Sequence, residues 1–144
     1  MSTGIDLASA RLIIAAALSV GKDSGLKPLT VVVLDAGGHV IAAEREDGSS
    51  NKRFEIAQAK AFGAISLGIG SRALMKRAEE QPYFVIGASQ AIGSALIAVP
   101  GGVLIRSADG TLVGAVGVSG DTSDNDERAA VEGIEHAGLQ SQAA

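Results

Sequence analysis

The feature that most constrains the fold is the run Thr30-Val31-Val32-Val33-Leu34-Asp35. It is β-branched and apolar without a break, so neither face can be left in water. It reads as a central strand covered on both sides. Ala36-Gly37-Gly38-His39 follows. Gly-Gly between two apolar runs signals a tight hairpin, because primed turns need positive φ at their central residues. Val40 to Glu44 is then the antiparallel partner, closed by Arg45-Glu46-Asp47-Gly48.

Helical patterns flank this hairpin. Asp6 N-caps a helix expected to run to about Val20, with Leu7, Ala10, Ile14, Ala17 and Leu18 on one face. After the hairpin, Ser49, Ser50 or Asn51 is placed to cap a second helix. Its apolar stripe is Phe54, Ala57, Ala61 and Ile65, and Lys52, Glu55 and Lys60 fall off the stripe. Gly68-Ile69-Gly70 breaks the pattern, Ser71 caps a short helix over Arg72 to Glu80, and Pro82 limits its continuation. The glycines and small residues from Tyr83 to Ser94 predict an irregular connection.

A second hairpin is expected in the C-terminal third. Ala95 to Val99 reads as a short strand, Pro100-Gly101-Gly102 as a turn or bulge, and Val103 to Arg106 as the strand resumed. Ser107-Ala108-Asp109-Gly110 is a hairpin loop, and Thr111 to Val118 is the return strand. A helix then starts among Asp121 to Glu127, with Val131, Ile134 and Ala137 as its inner stripe. Gln140 to Ala144 is expected to fray. With two hairpins, the sheet should be mainly antiparallel with helices packed on it, an α/β (α+β) fold.

A chain of 144 residues fits one domain, residues 1–144, and can bury roughly two-thirds of its unfolded surface. It contains no cysteine, which excludes disulfides, thiolate metal sites and thiol nucleophiles. Net charge is −4 and the 12 Lys and Arg residues are scattered, so no nucleic-acid partner is expected. The N-terminus Met1 to Asp6 has no basic leader segment, and the apolar run Ile13 to Leu18 is too short for a bilayer. The expectation is a cytoplasmic chain with no membrane partner. A hydrophobic content of 47% in so small a chain points to a homo-oligomer.

Few residues are suited to chemistry. Only His39 and His136 offer imidazoles, and their spacing makes no metal site. The acids Asp121, Asp124, Asp126 and Glu127 miss the calcium-loop pattern and are explained as helix-dipole partners. There is no nucleophile elbow and no phosphate-binding glycine motif. Gly101 and Gly102 can bring backbone amides close to a ligand or simply serve a turn. His39 is read as a proton carrier, a haem ligand or a hairpin-end histidine bonded to backbone. Arg45, Glu55 and Lys60 either line a pocket for an acidic ligand or form ordinary surface ion pairs. No residue is assigned as catalytic.

These residues carry a family resemblance. Val33 to Val40 resembles the V-x-D-x-x-G-x-L hairpin of the GlcG/HbpS haem-binding protein family, and Ile56 to Ala61 its A-x-x-K-A helix. Val99-Pro100-Gly101-Gly102-Val103, then Val113 to Gly120 and the pair Asp124/Asp126, resembles its most specific block. The same domain occurs at the C-terminus of PduO-type proteins, and the resemblance covers about Leu7 to Gly138. It implies a five-stranded antiparallel sheet flanked by helices, assembled as dimers or larger rings up to an octamer. It also implies a haem-binding or catabolic accessory role.

Two functions stay open at this point. One is a small-ligand-binding protein for haem or a related tetrapyrrole. It would use Phe54, Phe62, Ile65 and Leu67 as apolar surface, Arg45 or Lys60 near the propionates, and His39 as iron ligand, with Met75, Tyr83 and His136 as other ligands. The alternative is a cofactor-free hydratase, isomerase or tautomerase acting on a small acidic substrate, with proton transfer drawn from His39, Glu55, Lys60 and Asp126.

Overall fold

The computed structural model describes residues 4–144; Met1 to Thr3, the start of the segment read for a leader, lie outside the described residues. The elements run α1 (Leu7–Asp23), β1 (Thr30–Asp35), β2 (Val40–Arg45), α2 (Arg53–Leu67), α3 (Ser71–Glu80), α4 (Pro82–Ala91), β3 (Gly102–Arg106), β4 (Leu112–Ser119), α5 (Ser123–His136) and β5 (Gln140–Gln142). The strands form one five-stranded sheet in the order β2-β1-β4-β3-β5, with every neighbouring pair antiparallel.

β1 is buried along almost its whole length, as its composition demands. Its side chains alternate between two cores. Val31 and Val33 join Val103, Ile105, Val116 and Val118 under α1 and α5. Val32 and Leu34 join Leu104 and Ala115 under α2, which contributes Ala57, Ala61, Ala64 and Ile65. The sheet is thus sandwiched between helical layers. α1 starts as the sequence suggests, with the Asp6 side chain accepting from the Ser9 amide at 2.8 Å.

The layer over α2 is unusually close, and glycine is the reason. Gly102 and Gly117 are register partners across β3 and β4. A Cβ on Gly117 would lie 1.9 Å from the Ala57 carbonyl oxygen, and one on Gly102 would lie 2.3 Å from that of Lys60. The missing side chains leave a trough in the sheet, and the backbone of α2 rests in it.

Five local expectations are corrected. Tyr83 to Ser94 is not an irregular connection, since most of it is α4, with Pro82 at its first position, where a missing N–H costs nothing. Ala95 to Val99 forms no strand; β3 begins only at Gly102. Gln140 to Gln142 does not fray but pairs with β3 and covers that edge of the sheet. The cap position of α2 is Lys52, without a side-chain bond, and Ser50 instead accepts from the Arg53 side chain. Ser71 is inside α3, whose cap position is Gly70. Its hydroxyl is buried, accepting from the Gly102 amide at 2.7 Å and donating to the Gly102 carbonyl at 3.2 Å.

Candidate functional site

Of the residues singled out from the sequence, the structure gathers Lys60, Gly101 and Gly102 at one place and leaves His39, Arg45 and Glu55 at three others. Lys60 lies off the apolar stripe of α2 yet is buried, with 3% of its surface exposed. Its side chain runs past the start of β3 and the end of β4. There Nζ donates to the Val118 carbonyl at 2.9 Å and to Asp126 Oδ2 at 3.1 Å. Asp126 is equally buried in the first turns of α5, and its Oδ1 accepts from the Asp121 amide at 2.9 Å.

The ion pair therefore crosses the end of the sheet and ties the α2 layer to the α5 layer. Gly101 makes the passage possible: its φ is +126°, and a Cβ there would stand 2.8 Å from Lys60 Nζ and 2.7 Å from the Val118 oxygen. Burial pushes the Lys60 ammonium down from its ordinary value. The charge and hydrogen bond of Asp126 oppose that shift, and the nearby Arg53 guanidinium adds to it.

The acidic start of α5 is more than dipole compensation. Thr122 is the N-cap, accepting from the Asn125 amide. Asp126 pairs with Lys60, while Glu127 accepts from Arg72 Nε at 2.9 Å and Asp124 from Arg72 Nη2. These bonds raise the Arg72 pKa and join α3 to α5. The roles of Arg72 and Ser71 carry no sequence signal, because their partners are 31 to 55 residues away.

His39 sits at the tip of the β1–β2 hairpin with its side chain 80% exposed, and its Nδ1 lies 3.3 Å from Asp35 Oδ1. That carboxylate oxygen also accepts from the amides of Gly37 and His39, both at 2.9 Å. Partial burial acts to raise the Asp35 carboxyl, but the two amides and the imidazole outweigh it and hold it below the usual range. The arrangement turns Nδ1 toward a carboxylate and leaves Nε2 with no protein partner among the described residues. A carboxylate-oriented imidazole with one free nitrogen is well suited to bind a metal centre. Behind the tip, Gly38 packs against Phe62 and Ile65 of α2.

Arg45 ends β2 at the opposite end of the sheet, roughly 20 Å along the strand from His39 at about 3.3 Å per residue. With Glu44, Glu46, Asp47, Lys22 and Leu18 it lines a cavity of about 430 Å3 of mixed charge. Glu55 is exposed on the first turn of α2 beside Lys52, at 3.8 Å. Among the described residues no group of three or more His, Asp or Glu could hold a metal ion, and no helix is long and apolar enough to cross a membrane.

The family model for haem degrading proteins of the HbpS-like type matches residues 5–135. No curated protein matches the chain by sequence. Among solved structures, the chain is similar to HbpS, at 27% identity and a TM-score of 0.79, over 94% of this chain and 91% of that one. The PduOC–haem complex gives a TM-score of 0.83 at 21% identity, over 95% and 97% of the two chains. The ORFY protein of Klebsiella pneumoniae gives 0.82 at 24%, over 96% and 94%. At these last two identities the likeness is one of fold.

Proposed function

Since the chain belongs to the HbpS-like haem degrading protein family, we propose that it is a haem-related ligand-binding protein and that His39 is its iron ligand. The observation that carries this reading is the exposed imidazole whose Nδ1 lies 3.3 Å from Asp35 Oδ1, with no protein partner at Nε2 among the described residues. The residues there fit the group: an exposed imidazole nitrogen for the iron, with the partly buried ring of Phe62 against Gly38 behind it. Haem, when bound, would supply the redox and ligand chemistry of its iron. The chain's own part is to present the imidazole at the hairpin tip with Asp35 beside Nδ1. Arg45 at the far end of β2 and the buried Lys60 are not placed for the same ligand.

A proton-transfer enzyme built on His39, Glu55, Lys60 and Asp126 draws no support from this geometry. Only the last two meet, and both are sealed from solvent. Assembly with further copies belongs to the same proposal: α4 exposes Tyr83 at 70% and Ile86 at 64%, an apolar surface of the kind other chains cover. Light scattering on the purified protein should then give a mass above one chain, lowered by Ile86→Asp.

The test of the ligand is titration of the protein with hemin. A saturable shift of the Soret band is expected, with the band moved and the affinity lowered in His39→Ala. An unsaturable titration would remove the haem reading, and an unchanged spectrum in His39→Ala would remove His39 as the ligand.

A further inference from the structure

A second cavity, of about 210 Å3, opens at the other end of β1 from His39 and is lined in part by Lys27, Ser49, Ser50, Arg53 and Gly120. No carboxylate lines it. Arg53 is half-buried here, and its donors go to neutral oxygens: Nε to the Ser50 hydroxyl at 3.1 Å and Nη1 to the Ser119 hydroxyl at 3.0 Å. Among the described residues no acid lies within ion-pair distance of it. It also stands close enough to the buried Lys60 for their charges to repel. A guanidinium has five N–H donors, and two bonds leave three of them, both on Nη2 included, without a partner among the described residues.

The other charges around the cavity sharpen the ligand class. Lys27 also lines the cavity; its backbone amide donates to Asp121 at 2.9 Å, and its ammonium makes no ion pair among the described residues. Asp126 is taken by Lys60. Two cations, Arg53 half-buried and Lys27 exposed, line the space without an ion pair among the described residues. Arg53 stands beside a concave space with the hydroxyls of Ser49 and Ser50 on its rim; Ser49 is itself held by Thr30 Oγ1 at 3.1 Å. A space of this size lies below the range of drug-sized ligand sites.

We propose that this cavity binds a small organic monocarboxylate, its carboxylate gripped by the free N–H donors of the Arg53 guanidinium. A planar carboxylate matches the planar fork of the half-buried Arg53 and supplies the negative charge it lacks, with the exposed Lys27 at the rim. The serine hydroxyls are placed for a polar substituent on the same molecule. The site is separate from the hairpin tip at His39 and does not depend on haem.

The experiment is amide NMR on the full chain, titrated with sodium acetate at constant ionic strength set by sodium chloride, with inorganic phosphate as a second probe. Acetate should give saturable shifts at Ser49, Ser50 and Gly120 and at the Arg53 Nε–H. Arg53→Gln should weaken binding by at least about tenfold. Arg53→Lys, which keeps the charge but loses the fork, should weaken it several-fold. Lys27→Ala, at an exposed position, should weaken it about two- to threefold. His39→Ala should leave the titration as it is. The proposal is overturned if acetate shifts drift without saturating, if they map elsewhere, or if a folded Arg53→Gln binds as before. Phosphate binding as tightly as acetate overturns the monocarboxylate class.

Discussion

Replacing Asp126 by Ala tests the central structural claim, that an ion pair passing the end of the sheet holds the two helical layers together. The substitution leaves the Lys60 ammonium buried with only the Val118 carbonyl, and it strips the Asp121 amide of its acceptor. Removing one partner of a buried pair costs about 3–5 kcal/mol. For a chain of 144 residues, an unfolding entropy of about 2.1 cal/mol/K per residue converts that loss into a Tm drop of roughly 10–17 °C. Differential scanning calorimetry with parallel urea unfolding would measure it. The double variant Lys60→Met/Asp126→Asn removes both charges and keeps an acceptor for Asp121, and should recover most of the loss.

The pH dependence has a definite sign. The folded-state pKa of Lys60 is lowered from 10.5, so between that lowered value and 10.5 the unfolded chain holds the extra proton. Stability contributed by this group therefore rises with pH through the window. Asp126→Ala removes the charge that holds the lysine up, so the window should widen downward. Lys60→Met should abolish it. A Tm drop of only a few degrees, in the range of an exposed pair, would refute the reasoning, as would a double variant no more stable than the single one.

Other expectations follow from single positions. Gly117→Ala puts a methyl 1.9 Å from the Ala57 carbonyl oxygen, so α2 must move; a loss of about 1–3 kcal/mol or more is expected in urea unfolding, and wild-type stability would show that the trough is not needed. Ser71→Ala orphans the buried Gly102 amide and carbonyl, which should cost about 1–3 kcal/mol and speed exchange of the Gly102 amide proton. Asp121 is held down to about 2 by the Asn125 side chain, then by the Lys27 and Thr122 amides. Its stabilising effect is present above 3.8 and fades as pH falls toward 2. Asn125→Ala should therefore raise the Asp121 midpoint in an NMR carboxyl titration.

The parts of the fold legible in the sequence are those whose pattern is repeated locally. β1 announces itself because an unbroken β-branched run has only one stable environment, a sheet covered on both faces. α1 and the stripe of α2 follow from helical spacing, and both hairpins follow from glycine-bearing turns. α4 was hidden because Pro-Tyr-Phe-Val-Ile-Gly-Ala-Ser-Gln-Ala has no polar face to give it a period. β5 was hidden because Gln140 to Gln142 is polar and owes its place to backbone pairing with β3. The site divides along the same line. His39 at a turn beside Asp35 could be picked out within five residues of sequence, and Lys60 by its helix.

What the sequence determined by itself is β1 with its hairpin, α1, the stripe of α2, the second hairpin and the family, because propensity, turn chemistry and apolar period act over a few residues. What only the tertiary structure decided is which polar groups meet. Lys60 and Asp126 are 66 residues apart, and they are joined because Gly101 lacks a Cβ and Gly102 and Gly117 let α2 settle onto the sheet. Arg53 is left without a counter-charge because Asp126 of α5 is turned toward Lys60 and Asp124 and Glu127 toward Arg72. Those pairings depend on how the layers stack, and no short-range pattern in the chain records that.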